Sequence, residues 1–65
     1  DLLNIGHMHW LNGHYKQAIK YYRDCQQKVG EETFQEMMMA DEDNLLCTDM
    51  QVTDIPLILD LVKMA

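Results

Sequence analysis

Apolar residues recur along this chain at steps of three and four, and strict alternation is absent, so the pattern predicts helices and no strands. The first segment runs from about Asp1 to Leu11. Leu2, Ile5, Gly6 and His9 form one stripe, and Leu3, Trp10 and Leu11 form a second beside it. A helix apolar on two sides is expected to lie between neighbours. Asn12-Gly13-His14 breaks the pattern, and Gly13 can take the left-handed conformation that ends a helix.

The second segment runs from about Tyr15 to Val29. Tyr15, Ala18, Ile19, Tyr22, Cys25 and Val29 make one continuous stripe, with Lys16, Lys20, Arg23, Asp24 and Gln27 largely opposite, and Gly30 supplies the stop. So short a loop between two helices forces them antiparallel. A third helix is expected to start near Glu31, with acids in its first turn as the helix dipole favours. Phe34, Met37 and Met38 face one way, and Met38 to Leu45 continues that face. The run Asp41-Glu42-Asp43-Asn44 reads either as one exposed turn of a long helix or as a break between two short ones. Cys47 to Thr53 reads as loop. A last helix begins near Thr53 or Asp54, either of which suits an N-cap, with Pro56 in its first turn. Leu57, Ile58, Leu61, Val62 and Met64 make its expected buried side. The predicted fold class is all-α: a helical hairpin over residues 1–30 followed by capping helices over 31–65.

The hairpin carries a recognisable spacing in Leu2-Leu3-Asn4-Ile5-Gly6, Gly13-His14-Tyr15, and Ala18-Ile19-Lys20-Tyr21-Tyr22 with Cys25. It resembles a tetratricopeptide repeat, a helix–turn–helix unit of about 34 residues. In that reading Gly6 and Ala18 are small so that the helices approach closely where they cross, Tyr15 and Tyr22 fill the space above and below, and Leu2 and Ile5 pack between. His9 stands where the family often has an aromatic, Cys25 where it often has Ala, and the usual terminal Pro is missing near Gly30. A shift of about 34 residues carries Gly6 onto Ala40, which fits, but Ala18 onto Val52 and Leu2 onto Glu36, which do not. Residues 31–65 are therefore expected to be a degenerate repeat or a helical cap. Stacked repeats need terminal units with a polar outer face, and the chain, which begins at Asp1, is expected to be the C-terminal end of a longer array.

Charge refines this picture. Residues 1–30 carry Lys16, Lys20, Arg23 and Lys28 against Asp1 and Asp24, a net of +2, while residues 31–65 carry nine acids against Lys63, a net of −8. The total of −6 is the wrong sign for a generic nucleic-acid binder. Ile55 to Val62 is broken by Pro56 and Asp60, and no segment approaches the roughly 18 apolar residues of a membrane span. Cys25 and Cys47 make no C-x-x-C pair, and both read as reduced, buried thiols of a cytoplasmic protein.

Candidate chemistry is thin. His7 and His9 project roughly 200° apart at 3.6 residues per turn, and His7 with His14 lacks a third ligand for zinc. Counting an EF-hand loop from Asp41 puts Leu46 and Val52 where a Gly and an acid belong. No phosphate loop is present, Cys25 with His14 is a weak nucleophile and base, and no cofactor is implied. The Met37-Met38-Met39 run serves either as core filling or as an adaptable partner surface. The resemblance implies a non-catalytic protein–protein interaction module that holds a peptide or helix in a groove lined by the first helix of each hairpin. Its groove-side residues here are Leu3, His7, Trp10 and Leu11. Asn4 matches the carboxylate clamp of some members, but Leu3 and Leu11 stand where basic residues would help. The alternative is a structural terminus without a ligand, stacked on upstream repeats or paired in a homodimer.

Overall fold

The structure, a computed structural model, describes residues 2–41 and 54–64. Over these residues it has four helices and no strand: α1 Leu2–Leu11, α2 Tyr15–Val29, α3 Glu31–Ala40 and α4 Asp54–Met64. The helix starts and stops follow from local chemistry. Gly13 takes φ +80°, and the turn around it closes by His14 N–H to the His9 carbonyl at 2.8 Å and Gly13 N–H to the Trp10 carbonyl at 3.1 Å. That pair of bonds around a left-handed residue is the Schellman arrangement, which satisfies the last carbonyls of α1. Asn12 adds its side-chain amide to the Met8 carbonyl at 2.8 Å. Gly30, at φ +95° and ψ 154°, is the single residue between α2 and α3. A side chain is strongly disfavoured in that region. Gly30 N–H still reaches the Gln26 carbonyl while its own carbonyl accepts from Phe34 N–H, so one residue ends one helix and begins the next.

α3 stops at Ala40, with Asp41 as its cap. The acidic run from Glu42, the loop reading of Cys47 to Thr53, and Thr53 as an N-cap lie outside the described residues. Pro56 occupies the first turn of α4, where its missing N–H costs nothing.

α2 is the central element. α1 packs mainly on it, α3 and α4 both touch it, and α3 and α4 touch each other. The core gathers Leu3, Trp10, Ala18, Tyr22, Cys25, Phe34, Met38, Ile55, Ile58 and Val62. Several expected inward positions lie elsewhere. Leu3 is buried in place of Ile5, which is exposed, and Leu2 is half-buried. Tyr15, Val29, Leu57 and Met64 are exposed. Each lies within two residues of a helix end except Leu57, which is one turn into α4 and on the side away from Ile55, Ile58 and Val62.

Gly6 and Ala18 are both buried. At Gly6 the close neighbour is the Tyr22 ring: a Cβ there would stand 2.7 Å from Tyr22 Cε1 and 2.8 Å from Cδ1. Tyr22 is fully buried, so the ring has little room to withdraw. Gly6→Ala should therefore lower stability, even though Ala gains about 1 kcal/mol of helix propensity over Gly. Overpacking of this kind costs about 1–3 kcal/mol. A thermal melt followed by circular dichroism tests it, and a midpoint equal to or above that of the parent would show that Tyr22 does not set the spacing of α1 and α2.

Candidate interaction site

The four residues expected on a groove occupy different surroundings. Leu3, His7 and Trp10 are buried, and Leu11 is exposed. His7 lies at the centre of a polar relay. Its Nδ1 is 2.8 Å from the Tyr22 hydroxyl, and its Nε2 is 3.1 Å from Asp41 Oδ2. An ionised carboxylate only accepts, so Nε2–H donates to Asp41, and in the neutral imidazole Nδ1 accepts from the Tyr22 O–H. Burial, with the Asp41 charge adding to it, pushes the Tyr22 phenol far above its usual range, so it stays a donor. The relay ties α1 to α2 and to the end of α3. Trp10 packs edge-on to Tyr15, with ring centroids 4.7 Å apart, and its indole N–H donates to Asp54 Oδ2 at 3.4 Å. It thereby links α1 to the first residue of α4.

The remaining histidines make ring contacts. His9 lies nearly parallel to Tyr21, at 5.3 Å and 8°, and its ring is 5.7 Å from that of His14. Among the described residues no three His, Cys, Asp or Glu side chains gather as a metal site would need. Asp41, the first position of the EF-hand count, faces His7, while Leu46 and Val52 lie outside the described residues. Cys25 is buried and free. Burial pushes its thiol up, with Lys28 pulling weakly the other way, which opposes thiolate formation. In the methionine run, Met38 is fully buried, Met37 partly, and Met39 is exposed.

Two open grooves flank α2. The first, about 390 Å³, has an apolar lining of Leu2, Leu3, Ile5, Cys25, Val29 and Met37 from α1, α2 and α3, with Lys28 as its charged member. The second, about 600 Å³, lies between α2 and α4. Tyr15, Ile19, Leu61 and Met64 form its apolar part, and Lys16, Lys20, Arg23, Asp24 and Gln27 its polar part. Sequence reasoning passed over this second groove. The basic residues of α2 read as a solvated helix face, and only the packing of α4 beside them makes a concavity. The available signal was the spacing of Lys16, Lys20 and Arg23 at i, i+4 and i+7, which puts three cations on one edge.

No helix among the described residues is long and apolar enough to cross a membrane. Comparison of the chain with protein-family profiles, with curated proteins and with solved structures found no match.

Proposed function

We propose that this chain is a non-catalytic protein–protein interaction module of the tetratricopeptide kind, which holds a peptide or helix against its own helices. The observation that carries the reading is the pair of open, largely apolar grooves along the two sides of α2. Such concavities with a few polar groups are the usual form of a binding site, and grooves between helices suit an amphipathic helix or short peptide. The Gly6–Tyr22 approach and the Gly13 turn support a repeat-like hairpin. The chemistry inside the fold supports a non-catalytic role: the relay of Tyr22, His7 and Asp41 has its nitrogens taken by its own members, and Cys25 is a buried thiol.

A structural terminus is the second reading, and one observation favours it. Of the resemblance's groove residues, His7 and Trp10 are spent on internal packing and hydrogen bonds, Leu3 is buried at the edge of the smaller groove, and Leu11 is exposed but lines neither groove. Panning a random peptide library against the immobilised chain, with light scattering on the same sample, separates the two. A monomer that enriches a consensus peptide and binds it one-to-one supports the module. A stable dimer that enriches nothing supports the structural terminus.

A further inference from the structure

The groove between α2 and α4 has a chemistry distinct from the rest of the surface. Lys16, Lys20 and Arg23 are exposed along one edge of α2. They are three of the five Lys and Arg in a chain of net charge −6. Among the described residues none of them forms an ion pair. Beside them Ile19 of α2 and Leu61 of α4 form an apolar floor. We infer that this groove docks an acidic amphipathic helix of another protein, whose apolar stripe lies on Ile19 and Leu61 and whose carboxylates face Lys16, Lys20 and Arg23. The inference rests on the binding-module reading and names its partner class.

Geometry and charge select that occupant. The three cations sit at i, i+4 and i+7, so they rise along about two turns of α2. A partner helix with carboxylates at the same spacing meets all three at once. Arg23 can engage a carboxylate with two parallel hydrogen bonds. A phosphate backbone has nothing to lay on the apolar floor of Ile19 and Leu61, whereas an amphipathic helix brings an apolar stripe and carboxylates together. Exposed ion pairs add little affinity singly. In a groove that also removes apolar surface from water they set orientation and discriminate between partners.

The test uses the whole chain and a designed probe of about 15 residues, roughly four helical turns, with Leu on one stripe and Glu elsewhere. A matched peptide carries Lys in place of Glu. Backbone amide shifts map the contact, and fluorescence anisotropy measures affinity. The Glu peptide should bind saturably, shift Lys16, Ile19, Lys20, Arg23 and Leu61, and bind at least about tenfold more tightly than the Lys peptide. Replacing the three cations together by Gln should weaken it by roughly tenfold and flatten its salt dependence, with helicity unchanged. The corresponding Glu variant should abolish it. No binding of the Glu peptide, or equal binding of both peptides, overturns the proposal. Shifts confined to Leu2, Ile5, Val29 and Met37 overturn it while leaving the binding-module reading in place. Shifts at the α2–α4 groove that grow with protein concentration alone, or with phosphatidylserine vesicles in place of peptide, overturn it in favour of self-association or a membrane surface.

Discussion

Tyr22→Ala is expected to remove most or all of the chain's stability. Tyr22 is fully buried on the central helix. Its ring touches the backbone of α1 at Gly6, stands edge-on to Phe34 of α3 at 6.3 Å, and tilts against His7 at 5.5 Å. Truncating a buried aromatic to Ala costs about 3–5 kcal/mol in lost burial and residual cavity. The change also strands His7 Nδ1, and a buried polar atom left without its partner costs about 1–3 kcal/mol more. At about 0.05–0.15 kcal/mol per residue, a chain of this length has only about 3–10 kcal/mol in all. Urea unfolding followed at the helical band should therefore show no cooperative transition for Tyr22→Ala, or one beginning near zero denaturant. Tyr22→Phe keeps the ring and loses the hydroxyl, so it should cost only the hydrogen-bond share. Gly6→Ala, harmful in the parent, should turn neutral or favourable in a Tyr22→Leu background, because the clash is with the ring. A Tyr22→Ala chain that melts within about 1 kcal/mol of the parent would show that Tyr22 is not the centre of this core.

The same residue explains which parts of the fold could be read along the chain. The bounds of α2 and its inward face were legible because Lys, Arg, Gln and Asp alternate with apolar residues at a clear 3.6-residue period. Ala18, Tyr22 and Cys25 lie inside accordingly. The two turns were legible because Gly13 and Gly30 are needed where φ is positive. The rotation of α1 was not. Its sequence, Leu2 to Leu11, has apolar residues on nearly every side, so the hydrophobic pattern gives no strong preference for Leu2 and Ile5 over Leu3 and Trp10. Tertiary demands decide it. Tyr22 needs the missing side chain of Gly6 for its ring and the His7 nitrogen for its hydroxyl, and meeting both buries the face that also carries Leu3 and Trp10. A hydrogen bond between residues 15 apart in sequence leaves no local trace.

The candidate site was hidden for a similar reason. Lys16, Lys20 and Arg23 sit on what any helical wheel calls the wet side of α2, and along the chain nothing joins them to Leu61 or Met64. Only α4 packing against α2 turns a solvated stripe into one wall of a groove. The polar edge of a helix thus becomes the wall of a groove through an element more than thirty residues away.

Trp10→Ala decides what the first helix is for. As the anchor of a groove, Trp10 would be wet in the free chain, and its removal would abolish partner binding while sparing the fold. Its surroundings predict the opposite. Trp10 is 7% exposed, its ring packs against Tyr15, and its indole N–H meets Asp54 at the start of α4. Losing a large buried side chain costs about 3–5 kcal/mol, so the helical signal of Trp10→Ala should fall and its melt broaden. Trp10→Phe retains most of the apolar contact and loses a 3.4 Å hydrogen bond to the half-buried Asp54, so its cost should be near that of an ordinary hydrogen bond, about 1 kcal/mol. Because Trp10 is the chain's one tryptophan, intrinsic fluorescence reports on it alone. The native emission should be blue-shifted and move red on unfolding. A red-shifted native emission, together with a Trp10→Ala chain of full helicity, would return Trp10 to the surface and make α1, not α2, the wall that meets a partner.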